Sequence, residues 1–167
     1  KLLNIMKNLL LTAFLVIGMI TNAQIKFVDK EYFTASIAVD PNATIKDGIN
    51  ITPEIELVSY WKYIKLNCQI QPALQGGYFD YAGSFGVNLT SGYFNQWRAY
   101  TGVRLGHIRR ETYGYPLAGF EGGVDININK STFIGLRGTG DWRSDFKYSG
   151  AEPAMRYSGT IRIGLIF

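Results

Sequence analysis

The feature that most constrains this chain is a two-residue alternation that recurs from about residue 31 to its last residue. Successive side chains of a β-strand point to opposite faces, so a period of two predicts half-buried strands. Eight such runs can be read. "EYFTASIAV" sets Phe33, Ala35, Ile37 and Val39 on one face. "INITPEIELVSY" sets Ile51, Ile55 and Leu57 against Glu54 and Glu56, and "KYIKLNCQIQ" sets Ile64, Leu66 and Ile70 against Lys65 and Asn67. "YFDYAGSFGVNLT", "WRAYTGVRLG", "YPLAGFEGGVDININ" and "STFIGLRGTGDWRSD" continue the pattern, and "MRYSGTIRIGLIF" closes it. No helical periodicity interrupts them.

The connections alternate too. "SYWKY", "NINKST" and "LTSGYFNQW" are short; "DPNATIKDG", "QPALQGG", "HIRRETYGY" and "FKYSGAEPA" are longer and rich in Gly, Pro and charge. Tight reversals at one end and longer loops at the other predict an up-and-down meander. Eight strands of this kind close into a small barrel, because closure removes the exposed edges. The expected fold class is therefore all-β: an eight-stranded antiparallel up-and-down barrel.

Residues 1–23 read differently. Lys7 precedes an apolar run from Leu9 to Ile20, and Thr21 and Ala23 are small residues suited to a cut after Ala23. This predicts a signal peptide over 1–23, with Met6 as a candidate translation start, and one barrel domain over 24–167. The apolar run is shorter than the roughly 20 residues of a spanning helix.

Alternation does not say which face is inside. A soluble carrier barrel puts apolar residues inside, and a membrane barrel inverts this. The polar face collects Glu54, Glu56, Lys65, Asp80, Arg98, Arg104, Glu121, Asp125, Arg137, Asp141, Arg143, Arg156 and Arg162. The two signs nearly balance, and an eight-stranded lumen is only just wide enough for side chains. Turned inward, these charges would neutralise one another, with Arg forks meeting carboxylates in two bonds. The apolar face puts aromatics at run ends: Trp61, Trp97 and Trp142 as the expected belt, with Tyr60, Tyr63, Tyr93, Phe94 and the terminal Phe167. Gly pervades the strands, which suits a narrow barrel whose bulky side chains need room. Each run is close to the about 9–11 residues that cross a bilayer at a tilt. The transmembrane barrel is the expected reading.

The last run, "RYSGTIRIGLIF", resembles the terminal strand of Gram-negative outer-membrane barrels, which commonly alternates and ends on an aromatic. In architecture the chain is similar to the small OmpA/OmpX-like outer-membrane barrels. That resemblance implies an assembly signal of outward Tyr157, Ile161, Ile163, Leu165 and Phe167. It also implies outer-membrane lipids and the barrel-assembly machinery as partners, with loops 40–48, 72–77, 107–115 and 146–153 facing outside.

Three functions remain open on the residues. The first is a structural or surface-binding envelope barrel with a plugged lumen, whose loop cations Lys46, Arg109, Arg110 and Lys147 could meet phosphates or a surface partner. The second is an outer-membrane lipid-modifying enzyme, for which His107 with Ser144, Asp145 and Ser149 would be the candidates. No family motif surrounds His107, so catalysis is not expected. The third is a soluble lipocalin-like carrier. One His, one Cys (Cys68) and scattered carboxylates show no metal-ligand spacing, and "GTGDWR" and "GVRLG" open no helix, so neither metal nor cofactor is expected. The net charge of +4 includes no dense basic run, so nucleic acid is not an expected partner.

Overall fold

The computed structural model describes residues 25–26, 31–72, 77–91 and 96–167. The expected signal peptide lies outside them, as do Tyr93 and Phe94. Eight strands run in sequence: β1 (Tyr32–Val39), β2 (Ile51–Ser59), β3 (Lys62–Gln71), β4 (Tyr78–Ser91), β5 (Trp97–Arg110), β6 (Tyr113–Asn127), β7 (Thr132–Arg143) and β8 (Ala154–Ile166). Each pairs antiparallel with the next, and β8 returns to β1 through Ile37↔Ile163 and Val39↔Ile161. The fold is a closed eight-stranded antiparallel up-and-down β-barrel. A two-residue bridge, Ile25–Lys26, adds to the end of β4 at Thr90 and Ser91. Closure satisfies the edge donors and acceptors that an open sheet would expose.

Two turns use a backbone conformation that their residues do not advertise. Tyr60 (φ 31°) and Glu111 (φ 49°) open the β2–β3 and β5–β6 reversals in the left-handed region. Non-glycine residues visit this region at a cost, which the ladders on either side hold in place. The expected long loop 107–115 is therefore only Glu111–Thr112, since Arg110 pairs with Tyr113 and His107 with Pro116. Expecting a loop there was wrong because Glu111 lacks the Gly or Asn signature of a tight hairpin.

The β1–β2 connection also differs from a plain loop. It holds a short helix, α1 (Pro41–Asp47), which the sequence reading missed. Asp40 caps it by accepting from the Ala43 N–H at 3.0 Å, and Pro41 fills the first turn, where no N–H is needed. The β7–β8 connection begins with a 3₁₀ turn, Ser144–Ser149.

The faces sort by charge. Outward, Ile55, Leu66, Val103, Val124, Leu136 and Ile163 are exposed, with Trp61 and Trp142 toward opposite ends and Trp97 half-buried. Inward lie seven buried cations, Lys65, Arg98, Arg104, Arg110, Arg137, Arg143 and Arg162. Besides Asp40, which caps α1, the buried carboxylates Glu54, Glu56, Asp80, Glu121, Asp125 and Asp145 face them, together with half-buried Asp141. The molecule's interior is thus mainly polar, with inward Val58, Tyr63, Tyr100 and Phe133 among the charges and a small apolar cluster of Tyr78, Ala82, Ile108 and Leu117.

Candidate functional site

Among the described residues, chemistry-bearing side chains converge in the lumen. At its centre Arg162 (β8) reaches three carboxylates: Glu56 at 3.1 Å, Glu54 at 3.4 Å and Asp125 at 3.7 Å. It also donates to the Tyr100 hydroxyl at 2.9 Å and the Ser36 hydroxyl at 3.2 Å. Arg98 (β5) bridges Glu56 at 3.0 Å and Asp125 at 2.6 Å. Arg137 (β7) pairs with Glu54. Lys65 (β3) donates to Glu121 Oε1 at 2.8 Å, and Tyr63 donates to the same oxygen at 2.8 Å. Arg104 lies 3.6 Å from Glu121 and 3.1 Å from Asp141, which carries the network toward the loop end.

Lys65 and Arg162 are 0% exposed. Such burial is tolerable only where each charge is paired and hydrogen-bonded, because desolvation costs several kcal/mol per ion. Aromatic faces complete the shell: Lys65 sits 4.5 Å from the Tyr100 ring centre, Arg98 4.7 Å from the same ring, and Arg162 4.9 Å from Phe133. Tyr63 and Tyr100 cross edge to face at 5.4 Å. Tyr63 was expected in the outward belt; it points inward instead, because it shares the parity of Lys65 in β3. Phe133 was not singled out from the sequence, and Tyr100 shares the parity of Arg98 and Arg104; parity alone places both on this face.

Inward glycines make the room. A Cβ on Gly123 would lie 2.6 Å from both the Tyr100 hydroxyl and the Leu136 carbonyl oxygen. A Cβ on Gly135 would press on the Asp125 carboxylate and lie 2.9 Å from Arg162 Cγ. The long side chains therefore occupy volume that these two positions leave empty.

A second group lies at the loop end. Asp145, from the 3₁₀ turn, accepts from Arg143 and Arg110. Burial pushes its carboxyl up, but the hydrogen bonds and charges of those two guanidinium groups more than reverse this and hold it below the usual value. Arg110 was expected on a surface loop; it is buried, because β5 runs on through residue 110 and turns that side chain inward. Arg109 is on the outer side of the same strand, and Lys46 and Lys147 are exposed. Arg156 is half-buried at this rim, 3.9 Å from Asp47 of α1, and is not part of the central network.

The residues considered for catalysis are each engaged elsewhere. His107 lies on the outer wall with its ring 5.7 Å from that of Tyr81. Ser144 donates to the Pro116 carbonyl at 2.9 Å and Ser149 to the Phe146 carbonyl at 2.9 Å. Of the terminal-strand residues, Tyr157, Ile161, Ile163, Leu165 and Phe167 are all exposed on the outer wall. Phe167 exchanges backbone hydrogen bonds with Phe33 at 2.8 and 3.3 Å, so the chain's last residue is tied to the start of β1.

No protein-family model matches the chain, and no curated protein matches it. A solved structure described as "De novo design of transmembrane beta-barrels" aligns with 82% of this chain and 94% of its own, at 10% sequence identity and a TM-score of 0.48. The fold rests on the strand register above rather than on that likeness.

Proposed function

We propose that the chain is a small outer-membrane β-barrel, similar to the OmpA/OmpX-like barrels, acting as a structural or surface-binding envelope protein rather than as a wide pore. The observation that carries this reading is the inversion of faces: exposed Ile, Leu, Val and aromatic side chains cover the outer wall, while paired charges fill the lumen. In water an apolar wall of this extent would associate; in a bilayer it meets hydrocarbon.

The end where Phe33 meets Phe167 faces the periplasm, so α1 and the β7–β8 turn face outward. There Lys46 and Lys147 contact lipid headgroups or a surface partner. The terminal strand, with outward Tyr157, Ile161, Ile163, Leu165 and Phe167, is the segment that the assembly machinery engages. The charged network rigidifies the wall and blocks the lumen, since an ion would have to displace pairs such as Arg98–Asp125 at 2.6 Å.

The other two readings gain less support. A soluble carrier needs an apolar interior, and this interior is charged. A lipid-modifying enzyme needs a base beside a nucleophile, whereas His107 packs against Tyr81. The test is mobility of the detergent-extracted protein on a gel, boiled against unboiled, followed by conductance in a planar bilayer. A heat-dependent shift from a membrane fraction, with no stable large conductance, is the expected result. A protein soluble without detergent would refute the membrane reading, and a steady large conductance would refute the plug.

A further inference from the structure

The charged group at the loop end stands apart from the central network and is built differently. Two of its members are fixed on strands: Arg110 ends β5 and Arg143 ends β7. The third, Asp145, comes from the turn after β7. Arg143 grips its carboxylate with both prongs, Nε to Oδ1 at 2.7 Å and Nη2 to Oδ2 at 2.6 Å. Arg110 Nε reaches Oδ2 at 3.0 Å. Beneath both cations lies the Tyr78 ring, 4.5 Å from Arg143 and 4.9 Å from Arg110. Asp145 is 1% exposed, and Ile108, the inward residue two before Arg110, is 0% exposed.

We propose that Arg110 and Arg143, stacked on Tyr78, form a carboxylate-binding clamp at the outer mouth, which the chain fills with its own Asp145, so that the turn bearing Asp145 is a lid the clamp holds shut. A planar fork with a third N–H from the side suits a flat, two-oxygen anion. The strand arginines are held by ladders, Arg110 against Tyr113 and Arg143 against Leu117 and Ala154. The turn has fewer ties. Its ties to the wall are side-chain ones: Ser144 bonds the Pro116 carbonyl, Tyr148 bonds Glu111 and lies tilted 6.4 Å from the Tyr113 ring, and the Phe146 ring lies 5.2 Å from Arg143, while the Ser149 and Gly150 bonds stay within the turn. Among the described residues no other carboxylate lies within ion-pair distance of Arg110 or Arg143. Removing the Asp145 carboxylate leaves two buried cations without a paired anion, since Asp80 and Asp141 act on Arg143 only from beyond ion-pair distance, a state that calls for a replacement anion. The space vacated has the size of a formate ion, which makes small carboxylates the ligand class and excludes bulkier tetrahedral anions. The inference goes beyond the membrane reading and does not depend on it, since the clamp is interior in either solvent.

The test places a reporter thiol behind the lid: Ile108→Cys in a Cys68→Ser background, labelled in detergent with a neutral, water-soluble maleimide. Because labelling follows the open population, Asp145→Ala is expected to raise the rate by about tenfold. Formate or acetate in the tens-of-millimolar range then restores slow labelling by occupying the clamp, and equal ionic strength of chloride does not. Asp145→Ser, which also vacates the carboxylate position, serves if the Ala variant loses its heat-dependent gel shift. Unchanged labelling in both variants overturns the lid. A raised rate that formate leaves untouched, or that inorganic phosphate lowers equally, overturns the carboxylate clamp.

Discussion

Replacing Arg98 and Arg162 by Met, singly and together, asks whether the lumen is a network or a set of separate pairs. Both cations converge on the same two carboxylates. Glu56 Oε2 is 3.0 Å from Arg98 and 3.1 Å from Arg162, and Asp125 Oδ2 is 2.6 and 3.7 Å from them. Among the described residues no other cation comes within 4.0 Å of either carboxylate. Methionine fills much of the vacated length without donating a hydrogen bond.

Each single variant leaves Glu56 and Asp125 sharing the one remaining arginine. In Arg162→Met, Glu54 also keeps Arg137. Stranding a buried charge outright costs about 3–5 kcal/mol, so a single change that leaves one partner in place is expected to cost about 2–3 kcal/mol. The double variant strands both carboxylates. It should exceed the sum of the singles by about 1–3 kcal/mol, the coupling expected of residues within one ion-pair network. Urea unfolding from detergent or vesicles, followed by the fraction that keeps its unboiled gel mobility, measures all four corners of the cycle. Additivity within about 0.5 kcal/mol would refute the shared-carboxylate reasoning, because independent pairs add.

Gly123→Ala should destabilise by about 1–3 kcal/mol through overpacking against Tyr100 and the Leu136 carbonyl, whereas Gly159→Ala, whose Cβ meets nothing within 4 Å, should leave thermal stability nearly unchanged. Asp145→Asn should lower the temperature at which the gel shift is lost at neutral pH. The Asp145 carboxyl is held low in the fold, so its contribution is present above the unfolded value of about 4 and lost as pH falls through the lower folded value; the gap between Asp145→Asn and the unaltered protein should therefore narrow as pH falls below the ordinary carboxylate range. His107→Ala should leave envelope lipid composition unchanged by mass spectrometry, and altered lipid A acylation would reopen the enzymatic reading.

The wall was legible in the sequence because a strand's period is two and both of its faces are long. β3 matches its run residue for residue, and the other boundaries shift by a few positions at most, except in β5. There, "HIRRETYGY" hides the continuation: Arg109 and Arg110 look like loop charges, yet one faces out and the other pairs with Asp145. The helix α1 had its cap and its proline in "DPNATIKD", but seven residues are too few for a helical period to register. Tyr63 was misplaced because an aromatic beside a turn fits both a rim and a lumen, and only its parity with Lys65 decides.

Partners across the lumen are a different matter. Arg162 and Glu56 are 106 positions apart, and Arg137 and Glu54 are 83 apart. Alternation fixes that each points inward; it says nothing of height along the barrel, which depends on the stagger accumulated around eight strands. The lumen charges could thus be gathered into one group from the sequence but not sorted into the central network, the rim residue Arg156 and the clamp around Asp145. That sorting is what separates the central network from the clamp. The central network is strand-borne on every side, so rearranging it requires the wall itself to move. The clamp has one ligand on a turn, so it can open while the ladders stay intact. If any part of this lumen exchanges with solvent under native conditions, it should be the outer mouth above Ile108, well before Lys65 or Arg162.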